Sequence, residues 1–376
     1  MLWVAVGVAT ALLALLLVRS PAIRYRVLGV VLTRYLIPSY VADCRSSNAL
    51  QRAQALRMIV TLRHGLSDRS VERAQDLLLD GLQDPSADVR LAAAEAAGDF
   101  ELIHAAPQLQ RLLADGRQSI PLRSAAARAL GQIGTRSAVD SLLVALRSED
   151  PSLQRAAQAA LVRTGSIAVA PTAALLHSSD TEVQGEAAQA LAQLGAPAVP
   201  PLTTQLHSTD DDQAVLASTT LSEIGGPAIT ALADTLAQAP SARTRQLAAS
   251  TLGRIVEQQQ SGALCAAYGV RCRPALQRAA ARDRAPQVRR TAVTALGIIG
   301  QLCRDTPATL ACITALSDPS IEVSQEAEHS LTAMGDLAAE ALRDELKRLG
   351  AHAPKRAPDD NDVTQLIAEY RDRRMQ

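Results

Sequence analysis

Apolar residues recur at every third or fourth position along most of this chain, which is the period of an α-helix with one buried face. The segment 150–177 shows the pattern most clearly, with an apolar stripe formed by Leu153, Ala157, Ala160 and Leu161. Asp150 can cap a helix that starts after it, and Gly165 can end that helix. A second helix is predicted from about 169 to 177. The segment therefore predicts two consecutive helices.

Six glycines repeat this pattern at intervals of 31, 30, 30, 75 and 35 residues: Gly134, Gly165, Gly195, Gly225, Gly300 and Gly335. A leucine precedes each glycine by four residues: Leu130, Leu161, Leu191, Leu221, Leu296 and Leu331. The longest interval contains one more copy, with Leu252 and Val256 in these positions, and an earlier copy has Glu101 in place of glycine. Such small apolar faces can be buried only against stacked neighbours. The sequence therefore predicts an all-α fold, an α-solenoid of about nine antiparallel helix pairs over residues 44–349.

The first nineteen residues follow a different pattern. The uncharged stretch from Leu2 to Val18 would extend about 26 Å as a helix, close to the thickness of a bilayer core. No A-x-A-like cleavage site follows it, which disfavours a signal peptide; a buried helix is the other alternative. Four arginines follow the stretch and favour a cytoplasmic location for the rest of the chain: Arg19, Arg24, Arg26 and Arg34. We therefore expect a single-pass transmembrane helix over residues 1–19.

Two shorter segments flank the predicted solenoid. Residues 20–43 form a juxtamembrane segment, in which the apolar stretch Val27–Val41 suits an interfacial helix. Alternatively, this stretch packs as the first cap of the solenoid. Residues 350–376 combine a polar linker with a short C-terminal helix, predicted to start at Asp362.

The charge balance narrows the range of partners. The chain of 376 residues has 38 basic and 38 acidic residues and seven aromatic ones, one Trp, five Tyr and one Phe. General nucleic-acid binding usually requires excess basic charge and stacking rings, so no nucleic-acid partner is predicted. A hydrophobic content of 48% excludes intrinsic disorder. Four rings lie in the first forty residues, as a membrane interface would favour: Trp3, Tyr25, Tyr35 and Tyr40.

The repeated unit resembles the HEAT repeat family, in particular the short HEAT-like repeats of phycobilisome lyases. An Asp-Pro turn, a Val or Leu followed closely by Arg, and a closing Leu-x-x-x-Gly carry the resemblance over about residues 84–349. The turns are Asp84-Pro85, Asp150-Pro151 and Asp318-Pro319, and the steps are Val89-Arg90, Leu122-Arg123, Leu153-Gln154-Arg155 and Val288-Arg289. The resemblance implies an α-solenoid but leaves the function open, because this repeat serves many roles.

Signals for catalysis are weak. The HEAT-like family includes deoxyhypusine hydroxylases with iron-binding His-Glu steps, but no histidine of this chain precedes a glutamate. His177 and His207, at equivalent positions, suit helix C-termini, and the acidic turn 210–212 suits a helix start rather than a calcium loop. We expect no catalytic residue, cofactor, metal or small-molecule substrate. The rival hypothesis is an enzyme or cofactor-handling protein of the HEAT-like lyase or oxidoreductase type.

The cysteines bear on the compartment. The five are Cys44, Cys265, Cys272, Cys303 and Cys312. In an oxidising compartment, two local disulfides are expected, Cys265–Cys272 around an insertion of the seventh pair and Cys303–Cys312 around a turn. This would favour a periplasmic or other extracytoplasmic solenoid. The arginines beside the anchor favour the cytoplasm, where the cysteines would be buried free thiols, and we expect that location.

One strongly basic segment interrupts the neutral chain. Residues 271–290 carry seven arginines against one acid, Asp283, and the arginines are Arg271, Arg273, Arg278, Arg282, Arg284, Arg289 and Arg290. They form a candidate binding patch for an acidic protein, for anionic lipid or, as the least favoured ligand, for nucleic acid, unless they pair with acids of neighbouring repeats. We expect a membrane-tethered, non-catalytic scaffold or adaptor that binds another protein along its concave surface.

Overall fold

The computed structural model describes residues 37–62, 68–259, 262–349 and 363–375. Within these ranges all regular structure is helical, and no residue lies in a β-strand. Nine consecutive helix pairs occupy residues 49–348. The predicted all-α solenoid is therefore confirmed for this part of the chain, with the predicted number of pairs.

A single helix, α1 (Ile37–Cys44), precedes the pairs, and another, α20 (Val363–Met375), follows them. The pairs, each with its first helix named before its second, are α2 (Ala49–Leu62) and α3 (Asp68–Gly81), α4 (Ala87–Asp99) and α5 (Ala106–Ala114), α6 (Ile120–Ile133) and α7 (Arg136–Leu146), α8 (Pro151–Thr164) and α9 (Ser166–Ala174), α10 (Thr181–Leu194) and α11 (Val199–Gln205), α12 (Asp211–Ile224) and α13 (Ile229–Gln238), α14 (Ala242–Glu257) and α15 (Gly262–Arg282), α16 (Pro286–Cys303) and α17 (Thr306–Ala315), and α18 (Ile321–Met334) and α19 (Asp336–Arg348).

The described residues form two compact units, which divide between residues 190 and 191. In the first unit, the first helices α2, α4, α6 and α8 lie side by side in that order. In the second unit, the first helices α12, α14, α16 and α18 form one row, and the second helices α13, α15, α17 and α19 form another. Each unit is therefore a stack of helix pairs.

The leucines of the sequence repeat lie in the core of the stack. Seven of them are 0% exposed: Leu130, Leu161, Leu191, Leu221, Leu252, Leu296 and Leu331. Burial of a full leucine side chain typically contributes about 1.5–3 kcal/mol. Because one such position recurs in the seven first helices from α6 to α18, the periodicity of the sequence corresponds to a periodic core.

Aspartates cap the helices at the predicted places. Asp150 Oδ1 accepts hydrogen bonds from the backbone N–H groups of Ser152 (2.8 Å) and Leu153 (3.2 Å) at the start of α8. Asp210 caps α12 in the same way, so the acidic turn 210–212 is a helix start, as predicted. Each side chain satisfies N–H groups that have no partner inside the helix.

Five of the six glycines end their helices with a positive φ: Gly134, Gly165, Gly195, Gly225 and Gly335. Gly165 has φ 65° and ψ −138°, a conformation that side chains disfavour. The chain turns within this one residue, so α9 starts at Ser166, three residues before the predicted start. The repeat of glycine in the sequence is thus mainly a repeat of this turn.

Gly300 is the exception, and its predicted role was wrong. Helix α16 continues past it to Cys303, and Arg304 takes the left-handed conformation instead, with φ 51°. A Cβ at position 300 would lie 2.8 Å from Cε and Sδ of Met334. This glycine therefore allows close packing inside a helix and does not end one.

Glu101 occupies the position of a glycine and has φ 52°. Its substitution tests how much this turn conformation affects stability. A side chain in the left-handed region costs roughly 1–2 kcal/mol, and glycine recovers part of that despite its greater freedom in the unfolded chain. We expect Glu101→Gly to raise the free energy of unfolding by up to about 1 kcal/mol, measured by urea denaturation. The control, Glu149→Gly, alters an exposed turn residue without positive φ and should be destabilising. Equal effects of the two substitutions would contradict the explanation.

The ends of the chain are described only in part. Helix α1 lies beside α2, and the predicted C-terminal helix is present as α20. The predicted transmembrane helix 1–19, the segment 20–36 and the linker 350–361 lie outside the described residues. Among the helices that the structure does describe, none has the length and apolarity needed to cross a membrane.

Candidate protein-binding surface

Helix α15 presents three arginines along one exposed stripe. Arg271, Arg278 and Arg282 are seven and four residues apart, which places them within roughly 40° of one another around the helix axis. The opposite face of α15 is buried and holds this stripe outward; it includes Cys272, Leu276, Ala279 and Ala280. None of the three forms an ion pair with a residue in the described ranges. We call these three residues the arginine ridge.

A groove runs along each side of the ridge. The groove between α13 and α15 has a volume of about 280 Å³, and its lining includes Leu236, Ala237, Ala275, Arg278 and Arg282. The groove between α15 and α17 has a volume of about 550 Å³, and its lining includes Gln277, Ala281, Pro307, Leu310 and Ala311. Helix α17 carries no charged residue. The surface therefore combines a positive ridge with two shallow grooves, of which the one between α15 and α17 is mainly apolar.

Two other arginines of the predicted patch are structural. Arg273 Nη1 lies 2.6 Å from Asp305 Oδ2. Arg289 Nε and Nη2 each donate a hydrogen bond of 2.8 Å to the carboxylate of Asp318, which raises the pKa of Arg289. The alternative interpretation, pairing with acids of the next repeat, is therefore correct for Arg273 and Arg289. It does not apply to the arginine ridge.

The remaining two arginines lie beside this surface. Arg290, on the first helix α16, is 53% exposed and 3.8 Å from Glu326, too far for a strong ion pair. Arg284 is exposed in the turn after α15. On the neighbouring helix α13, Asp234 is exposed, whereas Asp283 at the groove edge is bound by Arg245 at 2.7 Å. The arginines of the ridge therefore outnumber the available acids, and this surface has a net positive charge.

The two histidines at equivalent repeat positions lie at the ends of helical segments, as predicted. His177 ends the 3₁₀ turn after α9, His207 follows α11, and both are exposed. In the described ranges, no three His, Cys, Asp or Glu side chains are arranged to hold a metal ion.

The structure corrects the predicted cysteine pairs. Cys265 and Cys272 lie two turns apart on α15, about 10 Å along its axis, because the supposed insertion is helical. A disulfide cannot bridge that distance. Cys303 lies against Cys265, with 2.6 Å between the two Sγ atoms, and Cys312 is buried separately against the backbone oxygen of Val293. In this structure none of the five cysteines is bonded to another.

The arginines are evident in the sequence, but the grooves beside them are not. The one sequence feature that indicates the grooves is a set of small residues at outward positions of consecutive second helices, such as Ala237, Ala281 and Ala311. In the sequence, such alanines are indistinguishable from those that serve the tight packing of the repeat. Only the placement of α13, α15 and α17 side by side shows that they line grooves.

Comparison with protein families gives a consistent match. A family model described as HEAT repeats matches residues 116–173, 168–253 and 229–332. A second, described as HEAT repeat, matches residues 75–100. The first model alone spans more than half of the chain. No curated protein matches the chain.

Several solved structures are similar over most of this chain. An engineered protein is 20% identical, with 89% of this chain and 98% of that chain covered and a TM-score of 0.34. Human deoxyhypusine hydroxylase in complex with glycerol is 21% identical, with 82% and 98% covered and a TM-score of 0.29. Kap95p bound to RanGDP is 17% identical, with 98% of this chain but 54% of Kap95p covered and a TM-score of 0.39. The chain thus spans about half the length of Kap95p.

Proposed function

Because this chain belongs to the HEAT repeat family, whose stacked pairs offer extended surfaces, we propose that it is a non-catalytic scaffold that binds a segment of another protein. The observation that supports this most directly is the arginine ridge between two grooves, one of them mainly apolar. Arg271, Arg278 and Arg282 are exposed, and no ion pair within the described chain uses them. A binding surface explains why these charges lie on one stripe.

The chemistry of the surface favours an acidic peptide segment as the ligand. Carboxylates of such a segment would pair with the ridge, and small apolar side chains would enter the groove between α15 and α17, which includes Pro307, Leu310 and Ala311. Exposed ion pairs contribute about 0.2–1 kcal/mol each and mainly steer association, so apolar contacts in the grooves must add to the affinity. Binding should therefore be moderate and should weaken as salt is added.

A charge-reversal experiment tests this proposal. We expect the triple variant R271E/R278E/R282E to bind a fluorescent Asp- and Glu-rich peptide at least about tenfold more weakly than the unaltered chain. The matched control is R117E/R147E/R163E, which makes the same charge change at three exposed arginines of the first unit. Fluorescence anisotropy at several salt concentrations gives both affinities. Equal loss in the two variants would indicate general charge attraction and overturn the ridge as the binding site.

The location of the scaffold is the second part of the proposal. The uncharged stretch from Leu2 to Val18 and the arginines after it support a single membrane span with the solenoid in the cytoplasm. A tethered scaffold would raise the effective concentration of its partner at the membrane. Alkaline extraction of membranes should leave the full chain in the pellet, and protease added outside intact cells should not cleave the solenoid. Release by alkali would contradict the anchor, and cleavage would favour the extracytoplasmic alternative.

A further inference from the structure

Helices α15 and α16 bring together two thiols that lie 38 residues apart in the sequence. The Sγ atoms of Cys265 and Cys303 are 2.6 Å apart. A covalent S–S bond is only about 0.6 Å shorter, so bond formation requires almost no movement of either helix. Each helix contributes one thiol: Cys265 lies in the first turn of α15, and Cys303 is the last residue of α16.

The backbone around the pair allows this close approach. Gly269 lies one turn after Cys265 on α15, and a Cβ there would be 3.1 Å from Cys303 Sγ and 3.2 Å from Ile299 Cγ2. Cys265 is 3% exposed, and Ile299 is fully buried. The absence of a side chain at position 269 therefore leaves room for the half-buried Cys303 to reach its buried partner.

We propose that Cys265 and Cys303 are a disulfide site, oxidised by exchange with a disulfide donor such as glutathione disulfide or a thiol–disulfide oxidoreductase. The Sγ–Sγ bond of the chain forms as the S–S bond of the donor breaks. The two thiols lose two protons and two electrons, and the donor leaves as two thiols. The product covalently joins the N-terminal part of α15 to the C-terminal end of α16.

The environment of the thiols makes this a structural disulfide rather than a rapid sensor. Burial and the hydrogen bond with Cys265 raise the pKa of Cys303 to about 12. Little Cys303 thiolate is therefore present at neutral pH, and its attack on a donor disulfide in the folded chain is slow. The bond forms fastest before α15 and α16 have packed together. Burial of the pair then protects the bond.

The disulfide would also hold the N-terminal end of the long helix α15. This helix has 21 residues, and its first residues, including Ala263 and Leu264, are mostly exposed. Inward contacts come from Cys265 and from Tyr268, whose side chain lies over Gly226. A covalent bond at Cys265 would fix this end of α15. In a reducing cytoplasm the pair would remain as thiols, so its state in cells distinguishes the two compartments considered for the solenoid.

Peptide mapping tests the proposal directly. The full-length chain would be refolded in oxidising glutathione buffer, its remaining thiols alkylated, and the product digested with trypsin without reduction. Cleavage after lysine and arginine places Cys265, Cys272, Cys303 and Cys312 in four different peptides, so every possible link has its own mass. We expect the Cys265–Cys303 link to predominate in the unaltered chain and in Cys272→Ala. Predominant Cys265–Cys272 or Cys303–Cys312 links, or no link, would overturn it.

A stability measurement keeps the proposal testable if refolding is incomplete. Oxidation should raise the Tm of the unaltered chain and of Cys272→Ala by at least roughly 5 °C, because the bond closes a loop of nearly forty residues. Cys303→Ala should have the same Tm in oxidising and reducing buffer. A similar rise in Cys303→Ala, or none in the unaltered chain despite the link, would show that the proposed bond does not fix the two helices.

Discussion

The Gly131→Ala variant is expected to lose about 2 kcal/mol of its free energy of unfolding, although alanine is the better helix former. Gly131 lies inside α6 and is buried against α8. A Cβ there would be 2.6 Å from Cα, 2.7 Å from Cβ and 2.8 Å from the backbone oxygen of Ala160. These atoms belong mainly to the neighbouring backbone, so a rotamer change cannot relieve the clash. The two helices must separate, and the packing around them is lost.

The control for this experiment is the same substitution at Gly185. This glycine is exposed inside the first helix α10, and a Cβ there would have no heavy atom within 4 Å beyond the backbone of its own helix and its chain neighbours. Gly185→Ala should therefore stabilise the chain by about 0.5–1 kcal/mol through helix propensity alone. Urea unfolding, followed by circular dichroism, measures both. If both variants gain stability, the close contact between α6 and α8 contributes little.

The glycines also show how far the sequence alone could predict the fold. Gly195 and Gly225 mark helix ends through their positive φ, and the regular spacing revealed that role. Gly300 shares the spacing but faces Met334 from within a helix. Both roles require the absence of a Cβ, one for backbone conformation and the other for close approach. The amino-acid sequence shows that glycine is present at each position but not which of these two reasons applies.

The candidate site was predictable in composition but not in arrangement. Seven arginines within residues 271–290 were evident, but their partners lie in other repeats, as Asp318 does for Arg289. Structural and exposed arginines could therefore not be separated by local sequence. The cysteine pairs were predicted wrongly for a related reason, because Cys265 and Cys272 are close in sequence but lie along one helix, whereas Cys265 and Cys303 meet across two.

The Asp283→Asn variant is expected to lose about 2 kcal/mol of its free energy of unfolding at neutral pH. Asp283 lies between α15 and α16, and its carboxylate accepts hydrogen bonds from Arg245 Nε (2.7 Å), Arg245 Nη2 (2.9 Å) and the N–H of Ala285 (2.9 Å). Arg289 also donates to its backbone oxygen at 2.9 Å. The side chains of Arg245 and Asp283 are 15% and 8% exposed. Removing the charge would leave Arg245 poorly solvated and without its carboxylate.

An exposed pair provides the control. Arg243 and Asp211 approach to 2.7 Å, but Asp211 is 80% exposed. Surface ion pairs of this kind contribute little, because water screens them and both side chains lose freedom. Asp211→Asn should therefore change the free energy of unfolding by well under 1 kcal/mol. Equal losses in the two variants would show that enclosure of the Asp283 pair is unimportant.

The effect of Asp283→Asn should also depend on pH. Burial raises the pKa of Asp283, but the hydrogen bonds from Arg245 and Ala285 and the charges of Arg245 and Arg289 outweigh it, so the pKa lies below its ordinary 3.8. A carboxylate with a lowered folded-state pKa stabilises the fold above its unfolded-state pKa and loses that contribution as the pH falls through the folded value. The difference between the unaltered chain and Asp283→Asn should therefore be constant near neutral pH and shrink below about pH 3.8. A difference that stays constant under acid conditions would mean that shape, and not charge, determines the loss.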